Sequence, residues 1–178
     1  MPPPPLPSPL VLVGFMGAGK SSAGRILAQR LGWHFCDLDD RIEAAAGCAI
    51  AALFALHGEA AFREIERREL ARELGAAQVR PTVLALGGGT FAQPPNLDSL
   101  RAARACTVFL EVPVDELLLR CAGMRNRPLF RDEASFRALY QCRLVFYRLA
   151  ALTIPAGGAA PEAVSERVLQ AVQSWHPA

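Results

Sequence analysis

Lysine is almost missing from this sequence. Of 19 basic residues in 178, one, Lys20, is a lysine and the others are arginines. Charge of one sign is missing too: the net charge is +2 at pH 7, which excludes the broad basic footprint that nucleic-acid binding requires. No apolar run approaches the roughly 18 residues of a membrane span. Cys36, Cys48, Cys106, Cys121 and Cys142 include no C-x-x-C pair, so neither a zinc site nor a thioredoxin-type motif is indicated. An odd cysteine count without a secretory signal is expected of reduced thiols in a cytoplasmic protein. The opening MPPPPLPSP lacks the positive start and apolar core of a signal peptide. Residues 1–9 are expected to form a disordered, polyproline-type tail, open to a role as a proline ligand.

What is present suits one buried domain, expected over residues 10–178, in a chain that is 52% hydrophobic and 20% charged. Short β-branched or apolar runs are expected as strands at LVLV (10–13), HFCDLD (34–39), TVLAL (82–86), CTVFLEV (106–112) and LTI (152–154). Between them lie helical patterns. Ala23, Ile26, Leu27 and Leu31 recur at helical spacing before a stop at Gly32. Residues 40–57 are interrupted at Gly47, and Gly58 sets them apart from a long helix running from Ala60 to about Ala77. That helix pairs Glu59 with Arg63 and Glu64 with Arg68 at i,i+4, the pattern of a solvated face. Pro95 opens a further helix through NLDSLRAA, and others are expected at 115–122, 133–148 and 162–174. The alternation predicts an α/β fold with a five-stranded parallel sheet flanked by helices in three layers. GMRNRPLFRD, about 123–132, has three arginines and no apolar periodicity, and is expected to be a mobile lid.

GFMGAGKSS satisfies the phosphate-binding pattern Gly14-x-x-x-x-Gly19-Lys20-Ser21, with an apolar strand before it and a helix after it. Glycines let backbone N–H groups close on phosphate oxygens, and the helix N-terminus adds its dipole to the same anion. Lysine is a compact, flexible point charge where arginine's planar fork would be crowded, so a site that demands lysine explains the one departure from arginine. Gly17, Ala18, Gly19, Lys20, Ser21 and Ser22 are the candidate ATP contacts, and Ser21 the candidate Mg²⁺ ligand. Asp37 and Asp39 close the second strand and are expected to point apart, one acid to the metal and one to the phosphate acceptor. The same pair could instead cap the next helix. TVLAL ends without an acid, which leaves Asp37 to hold the metal through water.

GFMGAGKSS, DLDDRIE, HGEAAFREIE, LALGGGT, RNRPL and RLVFY, in that order and spacing, resemble the shikimate kinase family. The resemblance spans Leu10 to Ile154. It implies a P-loop kinase fold related to nucleoside monophosphate kinases, with ATP as co-substrate and Mg²⁺ as cofactor. The implied reaction forms shikimate 3-phosphate, on the route to chorismate and aromatic amino acids. It also implies a monomeric cytoplasmic enzyme that binds no nucleic acid or membrane. Residue by residue, Asp39 would hold a shikimate hydroxyl and assist its deprotonation. Arg63 and Arg143 would grip the carboxylate, and Gly87, Gly88 and Gly89 would line the acceptor. Arg120 would flank adenine, and Arg127 would stabilise the transferring phosphoryl group. The substrate-binding helices would span about 39–68. Phe54 and Phe62 match aromatic positions beside the acceptor, although core packing is the more ordinary reading of each. Val145 departs from the family, standing where proline is common. A gluconate-type kinase and a non-catalytic nucleotide-binding relative remain the alternatives.

Overall fold

The computed structural model describes residues 6–122 and 132–175. Five strands, β1 (Leu10–Val13), β2 (His34–Asp37), β3 (Thr82–Ala85), β4 (Cys106–Glu111) and β5 (Leu152–Pro155), form one parallel sheet in the order β2-β3-β1-β4-β5. Burial follows position in the sheet. β1 and β3 are buried at every residue and read as unbroken apolar runs, apart from Thr82. β2 and β5 have one paired side each, and they tolerate His34, Asp37 and a terminal Pro155.

The helices are α1 (Lys20–Leu31), α2 (Leu38–Ala46), α3 (Ile50–Ala76), α4 (Pro94–Ala102), α5 (Val114–Cys121), α6 (Glu133–Tyr147) and α7 (Pro161–Gln173). α1 packs on α7, and Arg30 pairs with Glu166 across that seam. α3 is broken into two helical stretches at Gly58, whose φ of 75° and ψ of 178° are not helical, so the separation falls where it was expected. Two prolines, Pro94 and Pro95, open α4. Among the described residues no single helix is long and apolar enough to cross a membrane, and no disulfide joins the five cysteines.

Three expectations are corrected. The second strand stops at Asp37, because Leu38 and Asp39 already belong to α2. The tail is shorter than nine residues: Leu6 packs on the core, the Ser8 hydroxyl accepts from the Thr82 N–H (3.3 Å), and the Pro9 carbonyl accepts from the Cys106 N–H (2.9 Å). The long helix is not simply a solvated face. Glu66, Glu69 and Glu73 are buried along it, and Glu64 pairs with Arg67 rather than Arg68. The expected lid falls outside the described residues except for Asp132, which caps α6 by accepting from the Ser135 N–H.

β1 is the pivot of the topology. The chain leaves it towards β2 on one side and leaves β3 for β4 on the other. Connections that part in this way open a crevice beyond the carboxyl ends of the strands, where open α/β sheets bind ligands. The glycine loop after β1 and the glycine triplet after β3 both emerge there.

Candidate active site

A cavity of about 1050 Å³ fills this crevice. Its walls include every described residue expected at the site except Ala18: Gly17, Gly19, Lys20, Ser21 and Ser22 from the loop and α1, Asp37 and Asp39, Arg63, Gly87 to Gly89, Arg120 and Arg143. Ala18 is buried and its N–H donates to the Phe15 carbonyl (3.2 Å), so in this conformation its amide supports the loop from within. Arg127 lies outside the described residues.

On one side, the loop turns through residues with positive φ and delivers Lys20 at the start of α1. Lys20 Nζ donates to the carbonyls of Gly14 (2.8 Å) and Phe15 (2.9 Å), which holds the ammonium group over its own loop. The Ser21 hydroxyl donates to Asp37 Oδ2 (2.5 Å). Arg120 donates to the Gly17 carbonyl (2.9 Å) and pairs with Glu116. The Gly158 N–H, with help from Arg120, holds the Glu116 carboxyl below the usual range.

The two aspartates divide as expected, but for another reason. Residues two apart in a strand share a face, so an extended run would have aimed both the same way. The chain instead enters α2 after Asp37, which caps that helix by accepting from the Asp39 N–H (3.1 Å) with Oδ1 while Oδ2 holds Ser21. Asp37 is therefore both a helix cap and a partner of the loop serine. Asp39 turns to the other wall, where a Cβ built on Gly87 would fall 2.5 Å from its Oδ1.

On the acceptor side two guanidinium groups converge. A Cβ on Gly89 would lie 3.0 Å from Nη2 of Arg63 and 3.0 Å from Nη2 of Arg143. Their supports differ. Arg63 bonds Glu59 (3.1 Å) and both oxygens of Glu66 (2.9 and 3.1 Å), with its guanidinium 5.0 Å from the Phe62 ring centre. Arg143 is buried, forms no ion pair among the described residues, and sits 5.5 Å from the Phe15 ring centre. Burial, with the nearby Arg63 charge, pulls its guanidinium below the ordinary arginine value. Glu66, already bonded by Arg63, acts on Arg143 only at longer range; a buried cation without a direct counter-ion is costly, so the pocket suits an anionic ligand. α6 runs unbroken through Val145, which is exposed; the absence of proline there leaves the presentation of Arg143 intact. Phe54 and Phe62 pack on each other at 4.6 Å and line the same cavity.

Glu66 was given no role in the sequence reading, although it closes the quoted FREIE. It is 1% exposed and accepts from Arg63, the Thr90 hydroxyl (2.7 Å) and Asn96 (3.4 Å). Tyr147, which closes RLVFY, was likewise passed over: its hydroxyl donates to the Gly88 carbonyl. Polar side chains this deep in the core are the signal that burial alone supplies.

The donors are hard oxygens on Ser21 and Asp37, an ammonium group over a phosphate-sized loop, and paired guanidinium groups at the glycine triplet. This set can hold a nucleotide phosphate against a small hydroxylated acid. Comparison with known proteins agrees. A family model described as shikimate kinase matches residues 16–173. The shikimate kinase of Paramagnetospirillum magneticum is 40% identical over 93% of this chain and 85% of its own length. The solved shikimate kinase of Acinetobacter baumannii in complex with shikimate superposes with a TM-score of 0.86 at 37% identity, over 93% of this chain and 92% of that one. A gluconokinase from Sinorhizobium meliloti, at 17% identity and a TM-score of 0.61, shares the fold alone.

Proposed function

This chain belongs to the shikimate kinase family, and on that footing we propose how its residues divide the transfer of the ATP γ-phosphate to the 3-hydroxyl of shikimate. The loop amides and Lys20 hold the β- and γ-phosphates, and Arg120 flanks the adenine. Ser21 and Asp37 fit Mg²⁺, Ser21 directly and Asp37 through water. Their oxygens are hard donors already in contact, and Mg²⁺ in such sites keeps several waters and needs few protein ligands. When bound, the ion would neutralise negative charge on the phosphates.

Arg63 and Arg143 pair with the shikimate carboxylate, a planar anion that suits guanidinium forks. Their joint hold turns the ring so that the 3-hydroxyl faces the phosphate. Asp39 accepts a hydrogen bond from that hydroxyl and takes its proton as the oxygen attacks in line. Lys20, together with Arg127, meets the charge that develops on the γ-oxygens. The family resemblance further suggests a cytoplasmic monomer, and size-exclusion chromatography checks the oligomeric state.

One observation carries this reading: two guanidinium groups meet at Gly89 across the cavity from Lys20. Gluconate also has a carboxylate, so the acceptor needs a direct test. ADP release should require shikimate and stay at background with gluconate or with no acceptor. Turnover with gluconate instead, or retained ATP binding with no turnover on either acid, overturns the assignment.

A further inference from the structure

Tyr147 is the last residue of α6, four positions beyond Arg143, and none of it is exposed. Its ring stacks on Phe109 of β4, centres 5.2 Å apart and planes at 27°. It is absent from the cavity wall, and no step of the transfer uses it. Its hydroxyl nevertheless donates to the Gly88 carbonyl, and the Arg143 guanidinium, one turn earlier on α6, lies beside the same glycine, where a Cβ on Gly88 would fall 3.4 Å from its Nη1. Burial raises the phenol far above the ordinary tyrosine value, so it keeps its proton and remains a donor. With its O–H given to Gly88, the phenol oxygen keeps lone pairs that can accept, and Arg143 has only N–H groups to give.

The Gly88 carbonyl belongs to the planar Gly88–Gly89 peptide. The one cis peptide among the described residues is Ser8–Pro9, so this peptide is trans and the Gly89 N–H points opposite to the Gly88 carbonyl. The carbonyl faces the buried phenol, so the N–H faces away from it, and the Gly89 Cα lies against both arginines, where a Cβ would fall 3.0 Å from a nitrogen of each. Among the described residues neither the Gly88 nor the Gly89 N–H has a hydrogen-bond acceptor. Backbone donors in such places nearly always find a partner, and a ligand oxygen supplies one.

We propose that Tyr147 is a positioning residue for the acceptor: its hydroxyl links Arg143 to the Gly88–Gly89 peptide, so that a guanidinium and the Gly89 N–H are fixed relative to each other as joint donors to the oxygens of the acid substrate. The inference rests on the acceptor reading above and adds a residue that never touches the substrate.

Tyr147→Phe keeps the stacking on Phe109 and removes the link. The loss of one buried hydrogen bond corresponds to an increase of about three- to tenfold in the KM for shikimate, with the KM for ATP unchanged. Phe109→Leu loosens the packing and leaves the hydroxyl in place. It should lower the melting temperature without separating the two KM values. Wild-type protein that releases no ADP with shikimate would sink the acceptor reading and this inference together. Active wild type with a Tyr147→Phe variant that binds shikimate normally, or with Phe109→Leu reproducing the same KM split, overturns the inference alone. Should Tyr147→Phe not fold, 3-fluorotyrosine offers a second route, since the chain has two tyrosines and Tyr140→Phe leaves Tyr147 as the sole label. Its fluorine resonance should move with shikimate and stay put with ATP; a resonance indifferent to shikimate refutes the link.

Discussion

Two glycine-rich loops line one cavity side by side, Gly88 lying against the Phe15–Met16 backbone, and they use glycine for different reasons. In the loop after β1, Gly17 and Gly19 have φ of 78° and 87°, a backbone that side-chain-bearing residues rarely adopt. A Cβ on Gly19 would have room, its nearest neighbour being an Arg120 nitrogen 4.0 Å away, although one on Gly17 would also crowd Cys121 Sγ at 3.0 Å. The triplet after β3 has no residue with positive φ; what it lacks is space. A Cβ on Gly87 would strike Asp39, and one on Gly89 would strike both guanidinium groups. The nucleotide side is thus shaped by main-chain conformation close to one helix, whereas the acceptor side is shaped by side chains that arrive from α2, α3 and α6 and need bare backbone to meet over.

The contrast can be broken from the nucleotide side. Lys20→Ala removes the ammonium group and should lower kcat by about 10²–10³-fold, the cost of losing one strong donor to developing charge. Lys20→Arg should recover little of this, because a wide fork replaces a point charge. Full activity in the arginine variant, measured by ADP release at saturating substrates, would mean that the site does not require lysine's shape.

Exchanging the two glycines sharpens the comparison further. Gly87→Ala drives a methyl group into Asp39 and should cut kcat by about 10²-fold, the scale of a misplaced general base, while ATP affinity stays near that of the wild type. Gly19→Ala instead strains the backbone by about 1–2 kcal/mol, lowering the melting temperature by about 2–8 °C and weakening ATP. If both variants lose ATP affinity equally, the two loops do not differ in the way described.

The same difference decides what the sequence could disclose. A phosphate loop is contiguous, so its strand, glycines, lysine and helix stand together in GFMGAGKSS and carry their own context. Elements came through well where the pattern was local: β1, and the turns at Gly32 and Gly47, lie where periodicity puts them. The acceptor side is assembled from residues more than 100 positions apart. Arg63 and Arg143 were reachable through family resemblance rather than through spacing. Glu66 looked like one more charge on a helix rich in charges, and nothing in FREIE shows that it alone is sealed under Thr90 and Asn96. The aspartate pair was misjudged because residues two apart in a strand share a face; what parts them is the switch to helix at residue 38, set by the Asp37 cap that the sequence offered only as an alternative.

On the acceptor side the two arginines should also part company. Arg143 is buried without an anionic partner among the described residues, so Arg143→Met replaces an expensive charge with apolar volume. That variant should melt no lower than the wild type, because burying a cation without its counter-ion costs stability that the ligand restores. Its KM for shikimate should rise by about 10–10²-fold. Arg63→Ala should weaken shikimate comparably but lower the melting temperature, since it strands the buried Glu66 carboxylate. Equal thermal shifts in the two variants would refute the difference in their supports.

The smallest expected effect concerns Glu66. Glu66→Gln keeps the volume, so Thr90 and one amide contact can persist, but the bidentate hold on Arg63 is reduced to a single neutral acceptor. Hydrogen bonds to a charged group contribute about 1.5–3 kcal/mol and neutral ones about 1, so Arg63 should lose orientation rather than charge. The KM for shikimate should rise about three- to tenfold, the KM for ATP should not change, and kcat at saturating shikimate should remain within about twofold because Asp39 and Lys20 are untouched. A fall in kcat with KM intact would place Glu66 in the chemistry instead of beneath the carboxylate clamp, and would erase the distinction between a main-chain nucleotide cradle and an acceptor pocket held up by buried side chains.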